Sequence, residues 1–309
     1  MRVAVLDLGT NTFNLIVAEQ LNGLVRIIHS SKLPVKLGED SINQGKISEQ
    51  AFERGVKAIE NHYQTIQNLQ VEKIKALGTS GLRTARNGDR FMATIKERTG
   101  IEIELIDGNR EAELIWFGVR ETCEDLKGKY LILDIGGGSN EFILADNRQI
   151  YWKKSYKLGV ARLLEKFKPS DPLQGREIRS IMEYLEESTQ DLTEVVAKHK
   201  VNVLVGASGS FETFASMIRE DEIPAETETS TEADLFPINP PVFEKLSSIL
   251  IASTIEERKK MKGLEPMRIE MIVLACLFVK FILQKLGITQ IYQTNYSLKE
   301  GVIFQLCKT

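Results

Sequence analysis

The chain has 309 residues, 42% of them hydrophobic and 27% charged, and its 40 basic side chains against 43 acidic ones leave a net charge of −3. That length implies about two domains, and the nearly balanced charge excludes a global basic field for nucleic acid, so an anionic ligand has to be caught by a local site. Three scattered cysteines (Cys123, Cys276, Cys307) exclude a disulfide scaffold and a thiolate zinc cluster, and the isolated His29, His62 and His199 argue against a histidine-based metal centre.

At the N-terminus Arg2 is followed at once by Val3–Leu6 and then Asp7, which is not the pattern of a signal peptide. Val3–Leu6 and Leu15–Ala18 read as two strands joined by the turn Asp7-Leu8-Gly9-Thr10-Asn11-Thr12. Phe52, Val56, Ile59, Tyr63 and Ile66 recur at helical spacing, which predicts an amphipathic helix over 48–69 with Ser48 as N-cap. Ile74–Leu77 is a strand running into the loop Gly78-Thr79-Ser80-Gly81. A helix over 89–99 stops at Gly100, Ile101–Ile106 alternates as a half-exposed strand, and a helix over 110–122 follows Gly108-Asn109.

The pattern then restarts. Leu131–Leu133 is a strand, Asp134-Ile135-Gly136-Gly137-Gly138-Ser139 a second glycine-rich turn, and Glu141–Leu144 the returning strand. A helix over 175–198 leads to a strand at Val201–Val205 and a third small-residue turn, Gly206-Ala207-Ser208-Gly209-Ser210. Residues 220–234 hold seven acidic side chains and one proline and read as a solvated loop. Asn239-Pro240-Pro241 opens another helix, Met271–Leu286 is a core helix ended by Gly287, and a strand lies near Ile291–Gln293. The apolar stretch Met271–Leu283, interrupted by Lys280, is shorter than the roughly 20 residues that cross a bilayer, so a soluble, cytoplasmic protein with no membrane contact is expected.

An internal repeat organises these elements. Val3–Glu19 and Tyr130–Asp146 superpose without a gap at an offset of 127, with Leu6, Asp7, Gly9, Ile16 and Ala18 meeting identical residues. Two α/β halves, each presenting an Asp-bearing turn, would face one another across a cleft. Glycines let backbone N–H groups converge on an anion, the hydroxyls of Thr10, Thr12 and Ser139 add donors, and Asp7 and Asp134 are hard oxygen ligands suited to Mg²⁺. Glu111 and Glu113 fit either a helix N-terminus, which favours carboxylates, or a general base for attack of water on a phosphoryl group. Glu141 is either an outward strand residue or a cleft residue aimed at the metal. Arg83 and Arg86 have the planar fork that clamps phosphate, though a lone arginine is equally a surface residue.

Taken together, these segments resemble the exopolyphosphatase/guanosine-pentaphosphate phosphohydrolase family, a branch of the actin/Hsp70/sugar-kinase superfamily. The pieces that match are the turns at Asp7–Thr12 and Asp134–Ser139 with Glu141, then Gly78-Thr79-Ser80-Gly81-Leu82-Arg83, Gly108-Asn109-Arg110-Glu111-Ala112, Leu158-Gly159-Val160-Ala161-Arg162, Gly206–Ser210 and Ser297-Leu298-Lys299-Glu300-Gly301. The resemblance implies an α/β, two-domain ribonuclease-H-like fold with an interdomain cleft: residues 1–124 plus 297–309 form one domain and 125–296 the other. It implies a Mg²⁺-dependent hydrolase of inorganic polyphosphate, with guanosine pentaphosphate as a second substrate and a homodimeric assembly. Glu111 becomes the expected catalytic base and Glu113 stays a helix-start residue. Asp134, Asp7 and Glu141 serve the metal and the water, and Thr10, Asn11, Thr12, Arg83, Gly136, Gly137, Gly138, Ser139, Ser208, Gly209 and Ser210 hold the substrate. Two departures stand out: Met267-Arg268-Ile269-Glu270 where the family has Arg-Ala-Asp, and Lys299 where it has arginine. The rival expectations are an ATP-dependent kinase or ATPase of the same superfamily, and a non-catalytic alarmone or polyphosphate sensor.

Overall fold

The computed structural model describes residues 1–39, 41–222 and 234–308. The first half builds β1 (Arg2–Leu8), β2 (Thr12–Leu21), β3 (Leu24–Pro34), α1 (Glu49–Asn68), β4 (Lys73–Gly78), α2 (Ser80–Arg83), α3 (Gly88–Thr99), β5 (Ile103–Leu105) and α4 (Gly108–Val119). The second builds β6 (Tyr130–Ile135), β7 (Asn140–Ala145), β8 (Ile150–Tyr156), α5 (Val160–Phe167), α6 (Gly175–Ser188), α7 (Gln190–His199), β9 (Val203–Ala207) and α8 (Ser208–Glu222). It closes with β10 (Leu235–Ile238), α9 (Pro240–Ala252), α10 (Ile255–Arg258), α11 (Ile272–Leu286), β11 (Gln290–Thr294) and α12 (Leu298–Lys308).

The repeat is a repeat of topology. One sheet has the order β3-β2-β1-β4-β5, and the other β8-β7-β6-β9-β11 with β10 added at the edge. In both, the second strand runs antiparallel to the first and the fourth and fifth run parallel to it, which is the ribonuclease-H-like arrangement. The register repeats as well. Asp7 lies opposite Asn14 and Asp134 opposite Glu141, and the Gly9 and Gly136 N–H groups donate 3.0 Å bonds to the carbonyls of Thr12 and Ser139.

Several expectations needed correction. The Gly78–Gly81 segment is not all loop: Gly78 ends β4 and Ser80 starts α2. The Gly206–Ser210 turn is the end of β9 and the first residues of α8, with no intervening loop. The helix over 175–198 breaks at Thr189 into α6 and α7, and the strand at Ile101–Ile106 shortens to three residues. The expected loop over 220–234 lies almost entirely outside the described residues. Core helix α11 starts at Ile272 and ends at Gly287, whose φ of +63° is the left-handed stop that glycine favours. No helix among the described residues is long and apolar enough to cross a membrane.

The chain's last helix does not stay with the second sheet. Its Leu298, Val302 and Ile303 are buried in a core shared with Val3, Val5, Leu114, Ile115 and Val119 of the first half. Two glycines allow this crossing. A Cβ on Gly301 would fall 1.9 Å from the Leu114 carbonyl oxygen, and one on Gly118 would fall 2.3 Å from that of Ser297. The α4 and α12 backbones therefore meet directly, as small residues permit. Gly301→Ala should force the helices apart at a cost of about 1–3 kcal/mol, read as a lower urea midpoint with an unchanged m value. Wild-type stability would mean that α12 slides without loss.

Candidate active site

A cleft of about 400 Å³ lies between the two sheets, walled by Asp7, Gly9–Thr12, Asn14, Ser80 and Glu111 from one side and by Asp134–Ser139, Glu141 and Ser208–Ser210 from the other. Each acid is placed by its element. Asp7 and Asp134 end the central strands of their sheets, where the chain turns and the side chain projects beyond the sheet. Glu111 sits in the first turn of α4, whose N-cap Asp107 accepts the Arg110 N–H at 2.8 Å. Glu141 is 2% exposed, which decides between the two readings of that strand residue in favour of the cleft.

The two glycine-rich turns meet across the cleft. A Cβ on Gly138 would lie 2.6 Å from Thr10 Oγ1 and 2.7 Å from Ser80 Oγ, so only glycine brings this backbone against those hydroxyls. Asn11 reaches across as well, with Nδ2 3.0 Å from Met271 Sδ. Arg162 ties the second turn to the opposite lobe: its Nε donates to Gly138 O (2.8 Å), Nη2 to Thr84 Oγ1 (3.0 Å) and Nη1 to Ile42 O (3.1 Å). Ion pairs close the mouth, from Lys32 to Glu265 (2.6 Å) and Glu212 (3.3 Å) and from Lys36 to Glu270 (2.7 Å).

Arg83 meets the cleft through Glu111. Its guanidinium donates to Glu111 Oε2 at 3.1 Å and to the Ile106 carbonyl at 2.5 Å, and it is not among the cleft-lining residues. It fixes Glu111, in an ion pair whose carboxylate is nearly buried. Glu113 points away, paired with Arg110 (3.0 Å) and with Lys153. Ser208 adopts φ +62°, a left-handed conformation costing a serine about 1–3 kcal/mol, and its hydroxyl donates to Asp134 Oδ1 at 2.6 Å. Ser155 donates likewise to Glu141 Oε1 at 2.6 Å, and Asn14 Nδ2 to Asp7 Oδ2 at 3.0 Å.

Of the lining residues with no role expected from sequence, Arg268 and Lys299 bring positive charge nearest the two Asp turns. Arg268 rests on Gly209, where a Cβ would fall 1.4 Å from its Nη2, and its Nε donates to Glu265 at 3.0 Å. Lys299, on the returning helix, pairs with Glu300 at 2.9 Å and lines the cleft. Both had been noted only as departures from a family pattern, and nothing local in the sequence marks either as facing the two Asp turns.

Burial dominates the electrostatics, with carboxylate crowding second at Glu111 and Glu141. Burial pushes Asp7 up to about 6, opposed by the Asn14 bond and Lys299. Burial and then the charge of Asp134 push Glu141 up to about 7, against its serine hydrogen bonds. Glu111 is raised well above the usual carboxylate range by burial and by Glu141, with Arg83 opposing. Asp134 is raised by burial, with Ser208 and Lys299 opposing. Burial works against the Lys299 ammonium, but the charges of Glu300, Glu212 and Asp7 outweigh it and raise its pKa.

Comparison with known proteins identifies the family. The sequence profile of the Ppx/GppA phosphatase family matches residues 16–309, and the chain belongs to that family. A Haemophilus influenzae relative, provisionally named an exopolyphosphatase, is 27% identical over 99% of this chain and 91% of its own. A guanosine-5'-triphosphate,3'-diphosphate pyrophosphatase of Vibrio vulnificus is 31% identical over 67% of this chain, which spans only 41% of that longer protein. The crystal structure of an exopolyphosphatase from Cytophaga hutchinsonii superposes with a TM-score of 0.95 at 31% identity, covering 100% of this chain and 98% of that one. An Aquifex aeolicus member of the Ppx/GppA family, 24% identical with a TM-score of 0.80 over 100% of this chain and 98% of its own, shares the fold.

The raised carboxylates have a measurable consequence for the metal-free protein. Glu141 stays protonated in the folded chain until about pH 7 but ionises near 4.5 when unfolded, so the folded state binds the extra proton and wild-type stability falls as pH rises through this window. Glu141→Gln removes that loss. The variant should gain on wild type by about 3 kcal/mol between pH 4.5 and 7 and level off above, measured by urea unfolding with chelator present. Parallel pH curves would show that this carboxylate is solvated.

Proposed function

We propose that this chain is a Mg²⁺-dependent exopolyphosphatase, removing the terminal phosphate of inorganic polyphosphate by in-line attack of water, with guanosine pentaphosphate as a second substrate. The observation that carries this reading is the nearly buried Glu111 carboxylate, paired with Arg83, facing the Asp134–Glu141 cross-strand pair over two glycine-rich turns. The names of the Haemophilus, Vibrio and Cytophaga relatives support the same substrates. On this reading residues 1–124 with 297–309 form the first lobe and 125–296 the second, which the packing of α12 on α4 and β1 supports. A homodimer in the cytoplasm follows from the family resemblance alone.

The end phosphate lies against Gly136–Ser139, with Thr10, Asn11 and Thr12 opposite and Ser208, Gly209, Ser210 and Arg268 along the second wall. Backbone N–H groups and hydroxyls meet its oxygens there. Asp134, Asp7 and Glu141 suit Mg²⁺, which takes one or two carboxylates and keeps other positions for water and phosphate oxygens. Among the described residues no three acids, histidines or cysteines stand close enough to hold a metal together, so only one or two of these carboxylates would hold it directly, with water and phosphate oxygens completing its shell. Mg²⁺, when bound, supplies positive charge to the oxygens of the transferred and leaving groups. Arg83 holds the Glu111 carboxylate for the attacking water. As the new P–O bond forms and the bridging P–O bond breaks, the water's proton passes to Glu111 and the shortened chain leaves with the bond electrons. A base whose pKa lies well above the usual carboxylate range is better matched to neutral pH. Glu141, held by Ser155, orients the water or the metal.

Phosphate release from short polyphosphate, long polyphosphate and guanosine pentaphosphate, measured in parallel with Mg²⁺, tests the assignment. Glu111→Gln should leave the fold and metal binding intact and cut turnover at least ~10²-fold. Near-wild-type turnover would take Glu111 out of the role. Release from none of the three would remove the assignment itself.

A further inference from the structure

A second cavity, of about 580 Å³, opens at the opposite end of the second sheet, where β6, β9 and β11 begin. Tyr130 lines it while Asp134, on the same strand, lines the cleft. At ~3.3 Å per residue the two sites are about 13 Å apart along that strand. Lys127, Lys129, His199 and Lys200 line the cavity, with Asp125 as the one acid among the described lining residues.

The charge here is uncompensated. The Lys129 ammonium lies 4.3 Å from the Tyr151 ring centroid and 3.2 Å from His199 Nδ1, both neutral partners. Among the described residues Lys127, Lys198 and Lys200 make no ion pair. Neighbouring surface lysines are paired instead: Lys154 with Asp191, Lys153 with Glu113 and Lys285 with Glu186. Lys198 and His199 stand in the last turn of α7, where the helix dipole favours cations. Lys127 and Lys129 arrive on the separate segment before β6, so the dipole does not account for them.

We propose that this basic cavity is a second anion site, taking a multiply charged phosphate anion of the inorganic oligophosphate or nucleotide type. Lys127, Lys129 and Lys200 outnumber Asp125 around the cavity and Lys198 stands beside it, which matches a polyvalent phosphate anion rather than a monovalent one. The groups facing His199 are Lys129 before β6, Lys127 and Asp125 on the same segment, Lys198 and Lys200 beside it, Tyr130 on β6, Tyr292 on β11, and Tyr151 on β8, whose hydroxyl donates to Asp146 at 2.8 Å. Burial, then Lys129 and Lys198, hold the imidazole below its usual range; a bound anion reverses the sign of that field.

The chain's three histidines make the test site-resolved. His29 bonds Ser31, which lines the cleft; His62 is buried on the Phe13 carbonyl; and His199 belongs to the second cavity. Imidazole NMR of the metal-free protein is followed during titration with tripolyphosphate at constant ionic strength. His199 should shift saturably, its pKa rising by about 0.5–1 unit, while His62 stays fixed as the reference. In Lys129→Gln/Lys200→Gln the His199 response should vanish while the His29 response and phosphate release persist. A His199 response to guanosine triphosphate at lower concentration than tripolyphosphate assigns the nucleotide as the source; an equal or weaker one assigns the inorganic chain. The proposal is overturned by a silent His199, by an equal response to sulfate, or by a single-stranded oligonucleotide acting at lower concentration than either. The wild-type arms decide this even if the double variant does not fold.

Discussion

Four carboxylates crowded into one cleft, Glu111, Asp134 and Glu141 buried and Asp7 half-buried, are the constraint on which the rest of this structure depends. Like charges in a low-dielectric cleft repel, and burial alone disfavours ionising each of them. Asp7 and Glu141 are accordingly raised to about 6 and 7. The protein offsets this with a few placed partners rather than with solvent: Arg83 on Glu111, Ser208 on Asp134, Ser155 on Glu141 and Asn14 on Asp7. What remains is a site short of positive charge on one side and rich in phosphate-accepting N–H and hydroxyl groups on the other. A divalent cation and a polyanion together satisfy both.

The same constraint explains why the chain's end returns to its beginning. Lys299 is the cation that acts on both Asp7 and Asp134, and it is carried on α12, which packs on the helix that carries Glu111. Gly118 and Gly301 let these two helices touch along their backbones. Placing one lysine at the carboxylate cluster thus fixes where the last eleven-residue helix must lie. Glu300 helps to hold its start, accepting the Ser297 N–H at 2.9 Å.

Much of this was legible in the sequence, for identifiable reasons. The repeat at an offset of 127 carried the opening hairpin of each half and its register, because both copies place the Asp, the turn glycine and the returning apolar residues at the same positions. Asn14 and Glu141 even occupy equivalent places, one neutral and one charged. The edge strands β3 and β8 were not legible: Leu24–Pro34 and Ile150–Tyr156 mix lysines and exposed apolar residues without clean alternation, as edge strands do. Small residues at Ser208–Ser210 looked like a turn but begin a helix, since Ser208 takes up the left-handed bend itself. Arg268 and Lys299 were beyond reach of pattern reading. Their place in the cleft depends on how α11 and α12 pack, and no short-range spacing encodes that.

On the proposed reading the Asp turns form one cation site completed by phosphate. Electron paramagnetic resonance of Mn²⁺ titrated into the protein with phosphate present tests it directly. One ion should bind per chain in wild type, with an affinity at least ~10-fold weaker in Asp134→Asn, as loss of a ligand at a metal site entails. Unchanged Mn²⁺ binding in that variant would contradict it.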